Sequence, residues 1–172
     1  MKKNKIVFFL ATFFGMVALG FHISTFFVPQ IGDISLPYLL FGLPIFPLWL
    51  LTILELRKRQ QAEAAKSSTK TSSPFQLLRL ILGNIPLWLK IAVFVFFFYP
   101  TLNFLRFATH SEQGTASLKN GEYVLEYRGN FIRKLTEEEY YYQNALKVQF
   151  LSGGVLPFYI VTIATFFPKK KE

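Results

Sequence analysis

His22 is the first residue in this sequence of a type suited to moving a proton near neutral pH. It lies in the apolar run Ile6 to Val28, on one helical stripe with Ala11, Gly15, Ala18 and Thr25, at alternating spacings of four and three. Small residues on such a stripe let helices approach closely, so the imidazole is expected to face the inside of a helix bundle. An ionisable side chain in that setting is either a functional proton carrier or a neutral hydrogen-bonding group. A relay needs a second titratable group, and no Asp or Glu lies inside an apolar run. Asp33 falls in a loop and Glu55 at the end of the second run. The expected state is therefore a neutral His22 bonded to a neighbouring helix.

The other reactive residue types have plainer explanations. His110, in "THSEQG" with Glu112 nearby, is expected to be solvated. Glu137, Glu138 and Glu139 place carboxylates side by side, as acid–base catalysis requires, but helix capping accounts for all three. The chain has no Cys, so it holds no disulfide, thiolate metal site or cysteine nucleophile. It also lacks a His-Glu-x-x-His motif, a phosphate-cradling glycine loop and a serine elbow. No catalytic residue, metal site or cofactor is expected, and the chain is not expected to be an enzyme.

The most patterned polar stretch is "NGEYVLEYRGNFIRKLTEEEYYYQNALK", residues 120–147. Gly129-Asn130 between "EYVLEYR" and "FIRKL" reads as a two-residue hairpin turn, because both positions tolerate positive φ. That turn pairs Arg128 with Phe131, Tyr127 with Ile132, Glu126 with Arg133 and Leu125 with Lys134. One face then carries Tyr123, Leu125, Tyr127 and Ile132, the other Glu122, Glu126, Arg128 and Arg133. A lone hairpin is marginal in water, so the apolar face needs a surface to rest on. Thr136 and Glu139 form a capping box immediately afterwards, with Leu135 and Tyr140 at staple positions. One rod is expected from Glu137 into the final apolar run. Tyr140, Tyr141 and Tyr142 are placed to receive the hairpin or to form an aromatic belt. Glu126, Arg128, Arg133, Tyr140, Tyr141 and Tyr142 are the candidate partner-binding residues, and His22 the intramembrane polar candidate.

These residues must be positioned by long apolar segments, since 52% of the chain is hydrophobic and 18% aromatic. Four runs of 19 to 23 residues stand out at 6–28, 36–54, 85–105 and 148–167. About 20 residues of helix cross a bilayer, and lipid forces such segments to be helical. Lys2, Lys3 and Lys5, the six Lys and Arg between 57 and 79, and Lys169 to Lys171 fall on one side of four crossings. The positive-inside rule puts that side in the cytoplasm. The layout is a cytoplasmic tail at 1–5, an external loop at 29–35, a cytoplasmic loop at 55–84, an external hairpin-helix module at 106–147 and a basic tail at 168–172. Within the cytoplasmic loop, 74–82 reads as an interfacial helix capped by Ser73 or as an early start to the third span. The first two spans each admit an alternative. A cleaved signal peptide ending at "ALG" is disfavoured because the apolar run continues to Val28. A re-entrant hairpin in the second span, around Pro37, Gly42, Pro44 and Pro47, would put its basic loop outside; a kinked helix is expected instead. The net charge of +9 then reflects topology and attraction to membrane lipid, not nucleic acid.

"GEYVLEYRGNFIRKLTEEEY", followed by "SGG" and "PFY", resembles a pattern in small, uncharacterised bacterial multi-pass membrane proteins. In these a G-x-Y hairpin, an L-T-x-E-E-Y-like helix start and a Ser-Gly pair precede the last span. The likeness covers about a quarter of the chain, and no activity attaches to it; it implies the layout and a bacterial origin. In length and topology the plan also resembles four-span colicin immunity proteins, without a shared motif. The expected fold is an all-α membrane protein of four transmembrane helices with a small extracytoplasmic β-hairpin plus helix cap. The expected role is a membrane accessory or interaction protein, an assembly subunit or immunity-type factor, presenting that cap to a protein partner or to another copy of itself. The alternative is a small transporter or channel using His22 and the kinked second span. Thr12, Thr25, Asn103, Thr162 and Thr165 would supply a thin polar lining for it.

Overall fold

The computed structural model describes residues 2–33, 36–65, 74–83 and 85–168. It contains helices α1 (Lys2–Phe27), α2 (Leu36–Ala64), α3 (Pro74–Leu82), α4 (Leu87–His110) and α5 (Glu137–Phe166), and strands β1 (Thr115–Lys119), β2 (Glu122–Tyr127) and β3 (Asn130–Lys134). A 3-10 turn, Pro29–Asp33, follows α1. The polar segment 66–73 with its Ser73 cap, and the basic tail at 169–172, lie outside the described residues.

Among the described residues, three helices are long and apolar enough to cross a membrane: α1 from Asn4, α4 and α5. α2 is a single helix of 29 residues that carries Pro44 and Pro47 within it, so the chain makes no hairpin there. Proline removes one backbone donor and crowds the preceding turn, and the helix continues through both positions.

α5 is the post around which the bundle is built, touching α1, α2 and α4. Ring contacts and hydrogen bonds give the directions. Phe8 meets Phe167 while His22 meets Ser152, so α1 runs antiparallel to α5. Trp88 meets Phe167 while Phe107 stacks on Phe150, so α4 is antiparallel as well. Trp49 meets Phe158 and Thr52 bonds Thr162, so α2 is parallel to α5. The four long helices therefore alternate in direction along the chain, and the sheet sits at the end where α5 begins.

Close approach of α1 to α5 depends on the small-residue stripe. Ala11, Ala18, His22 and Thr25 are all buried, and a Cβ at Gly15 would stand 3.2 Å from Cβ of Tyr159. One core cluster joins α1, α2 and α5 through Val7, Leu48, Leu156 and Tyr159. A second joins α3, α4 and α5 through Ile81, Ile85, Leu89, Val93 and Ala164. The opposite faces are strongly apolar and outward, for example Phe9, Phe13 and Met16 on α1 and Phe94, Phe97 and Leu102 on α4. Outward apolar surface of that extent is consistent with a membrane protein.

The expected two-stranded hairpin is a three-stranded antiparallel sheet of order β1-β2-β3. The added strand β1 joins β2 through Asn120-Gly121, with φ of 52° and 82°. Both values are positive, as a type I′ turn demands. The second turn is also displaced from expectation. Its central residues are Arg128 and Gly129, with φ of 52° and 84°, and Asn130 already belongs to β3. The register follows: Glu126 faces Phe131, Leu125 faces Arg133 and Val124 faces Lys134, with an irregularity between Leu125 and Glu126. Ile132 is the extra residue that absorbs the shift. The expected Glu126–Arg133 and Leu125–Lys134 pairings are thus replaced, and Glu126 and Arg133 lie on opposite faces.

Candidate functional site

Two regions gather polar side chains, one inside the helix bundle and one in the cap. The first is centred on His22, which is 2% exposed. Its Nδ1 lies 2.7 Å from Ser152 Oγ on α5, and its Nε2 contacts the Tyr99 hydroxyl on α4. Counting protons fixes the donors. Ser152 Oγ lies 2.6 Å from the Val148 carbonyl, which only accepts, so the serine hydroxyl donates there. Nδ1–H of His22 then donates to Ser152 Oγ, and the Tyr99 hydroxyl donates to Nε2. A single neutral tautomer satisfies both ring nitrogens. This arrangement leaves Ser152 without a base to take its proton, since the only basic nitrogen already accepts from Tyr99. Acyl-transfer chemistry, which needs the reverse polarity, is not what the pair is set up to do.

The cluster extends one turn toward the cap. Asn103 on α4 donates through Nδ2 to the carbonyls of Gln149 at 2.7 Å and Phe150 at 3.3 Å. Gln149 donates through Nε2 to the Thr25 carbonyl at 3.1 Å, and the Thr25 hydroxyl donates to the His22 carbonyl at 2.6 Å. Gln149 Oε1 is buried with no hydrogen-bond partner among the described residues. Gly153 makes the approach possible, because a Cβ there would stand 3.1 Å from both Asn103 Cγ and His22 Cε1. Arg106 closes the upper end with its guanidinium 4.6 Å above the Phe26 ring. Of these residues, the sequence singled out His22 and Thr25 by their stripe and Asn103 as a polar position. Ser152 is marked only as the serine of the "SGG" resemblance, and Tyr99 and Gln149 carry no signal of their own. Thr52 and Thr162 form a separate polar contact of 2.9 Å between α2 and α5.

The second region is the cap. Its core consists of Ala116, Leu125, Leu135 and Tyr140, with Tyr123 and Tyr141 packed against it. The capping box is complete: Glu139 N–H donates to Thr136 Oγ1 at 3.2 Å, and Thr136 N–H donates to Glu139 Oε2 at 2.7 Å. Tyr140 is therefore a core residue on which the sheet lands. Tyr141 and Tyr142 border an open groove of about 660 Å³ with Pro29, Gln30, Glu137 and Glu138.

Most of the charged candidates are engaged within the cap. Arg133 bridges Glu112, at 2.5 Å, and Glu139, at 3.0 Å, tying the loop after α4 to the start of α5. Its hydrogen bonds to Glu112 and then Glu139 raise the Arg133 pKa above its ordinary value. The Arg133 hydrogen bond and the Thr136 backbone bond hold Glu139 below the ordinary carboxylate value. Glu126 pairs with Lys119 at 2.6 Å and Glu122 with Lys134 at 2.6 Å. Arg128 differs: it is exposed, lies 5.2 Å over the Tyr127 ring, and meets no carboxylate among the described residues. Tyr127, Phe131 and Ile132 around it are 44%, 59% and 46% exposed. His110 is exposed, with its neighbours Thr109 and the Arg106 carbonyl as partners. No protein-family model matches the chain, and no curated protein or solved structure matches it significantly.

Proposed function

We propose that the chain is an integral membrane accessory protein whose α1, α2, α4 and α5 each cross the bilayer and whose cap binds a partner protein on the external side. The alternation of helix directions supports four crossings, and the placement of Lys and Arg supports cytoplasmic termini. One observation carries the interaction reading: the Arg128 turn with Tyr127, Phe131 and Ile132 exposed beside it. Large apolar and aromatic residues on the helices face lipid, whereas the same residues on a water-facing sheet have no such solvent. Tyr and Arg are enriched in binding hot spots, and Phe in interface cores. The turn also keeps a costly residue. Its twin uses Asn-Gly, the preferred pair, while Arg128 holds the left-handed conformation at φ 52°, at a cost of about 1 kcal/mol. Strain of this kind concentrates at functional positions.

Purification in mild detergent tests the proposal. The wild type is expected to bring down a defined partner, and Phe131→Asp to lose it while remaining folded. Arg133→Ala, which acts inside the cap, is expected to lower stability before it lowers binding. A wild-type protein that purifies alone from native membranes refutes the reading. The second reading, a transporter or channel using His22, is favoured by the buried polar cluster and opposed by its closed chain of donors and acceptors. Transport activity abolished by His22→Gln in an unpartnered protein would establish it instead.

A further inference from the structure

The least covered helix of the bundle, α4, faces a groove for which the bundle supplies no occupant. Gly83 sets the geometry. Its N–H donates to the Arg79 carbonyl at 2.8 Å, and a Cβ there would stand 2.8 Å from that same oxygen. Pro86 then caps α4 in an extended conformation. α3 packs on α2 and α5 beside the base of α4, with Ile81 and Ile85 anchored in the core. Leu78 and Leu82 remain as one wall, facing Ile91, Phe94, Val95, Phe97 and Phe98 across an open groove of about 570 Å³. The single charged residue lining it is Lys90, which is half-buried and makes no ion pair among the described residues.

We infer that this groove holds one anionic phospholipid of the leaflet on the side of the chain's basic loop, its phosphate against Lys90 and an acyl chain along Phe94 and Phe98. Two observations select this occupant. Charge is confined to the end near the start of α4, where a headgroup would lie. From Lys90 to Phe98 the helix rises about 12 Å, close to the ~15 Å hydrocarbon depth of one leaflet. Lys90, Phe94, Phe97 and Phe98 recur at helical spacing on one face, and the Phe94 and Phe98 rings lie 4.8 Å apart, forming a continuous aromatic floor. A helix of a second copy would match the apolar wall, but the four apolar runs of this chain hold no carboxylate to set against Lys90. The inference rests on the membrane reading above.

Native mass spectrometry of the full chain, extracted from membranes in mild detergent, tests it with added phosphatidylglycerol or phosphatidylcholine. Recovery of the chain in the soluble fraction would overturn the membrane reading itself, before any lipid is added. The wild type is expected to prefer phosphatidylglycerol roughly fivefold, the size of one Lys acting on an anionic headgroup. Lys90→Arg should keep that preference, while Lys90→Ala and Lys90→Gln should both lose it. Val95→Trp, which fills the groove, should lower the occupancy of both lipids. Equal binding of the two lipids to the wild type overturns the inference, as does an unchanged preference in both neutral variants. A lipid-free dimer that Val95→Trp dissociates overturns it in favour of a second copy.

Discussion

Gly153 and Gly154 are neighbours on α5 that should respond in opposite ways to the addition of one methyl group. Alanine gains about 1 kcal/mol over glycine inside a helix, and this gain is common to both positions. At Gly154 nothing lies within 4 Å of the new Cβ, so the variant should be neutral or more stable. At Gly153 the Cβ would crowd Asn103 and His22, with 3.1 Å contacts to Asn103 Cγ and His22 Cε1. Overpacking costs about 1–3 kcal/mol. Displacing Asn103 also forfeits its bonds to the Gln149 and Phe150 carbonyls, about 1 kcal/mol. The two variants should therefore differ by roughly 2–4 kcal/mol, or about 5–15 °C in Tm for a chain of this size. Thermal unfolding in detergent micelles, followed through the fluorescence of Trp49 on α2 and Trp88 on α4, measures the gap. Adding Asn103→Ala to Gly153→Ala should recover part of the loss, because the two sites are coupled. Equal shifts for the two glycine variants would refute the packing argument for the polar cluster.

Three further outcomes follow from the same geometry. Tyr99→Phe should leave Nε2 of His22 without a donor, and Ser152→Ala should strand Nδ1–H; each should cost about 1–2 kcal/mol of unfolding free energy in micelles. Arg128→Asn should stabilise the cap by about 0.5–1 kcal/mol, since Asn tolerates the left-handed region, yet weaken partner capture; unchanged capture would remove Arg128 from the interface. Glu139 lies in the first turn of α5, outside the proposed span at 148–167, and its folded pKa is depressed. Its contribution is therefore present above the unfolded carboxylate value and lost as pH falls through the lower folded value. Protection of the Thr136 and Glu139 amides against hydrogen exchange should weaken across that acid window in the wild type, and Glu139→Gln should remove the dependence.

Local signals were legible in the sequence where the physics is local. The capping box at Thr136 and Glu139 needs only three residues of spacing, and it appears as written. Of the two readings of 74–82, a separate helix and an early start to the third span, the first is formed: α3 ends before Gly83 and α4 begins after Pro86. The hairpin was recognisable but its register was not. Arg128-Gly129 and Gly129-Asn130 both offer a turn, and the choice depends on which pairing lets Ile132 be absorbed as an extra residue. β1 was missed although Asn120-Gly121 is the stronger turn signal, because "TASLK" has only Ala116 and Leu118 to show as an apolar face. The stripe through Ala11, Gly15 and Ala18 was readable, but the partners of His22 were not. Ser152 and Tyr99 lie 130 and 77 residues away on helices whose mutual rotation is set by packing. The charged residues of the cap could be listed from sequence, whereas their mutual neutralisation required the third strand and the loop bearing Glu112.

The central position of α5 bears on how the chain is made. α1, α2 and α4 emerge from the ribosome before it, and each owes most of its burial to it. Until α5 is synthesised, His22 has Tyr99 on α4 but not Ser152, Thr52 and Asn103 lack the groups they bond across the bundle, and the strands have no helix on which to settle. Assembly must therefore wait for this helix to thread between its predecessors, leaving a half-made chain with its polar cluster and its cap incomplete until the last helix arrives.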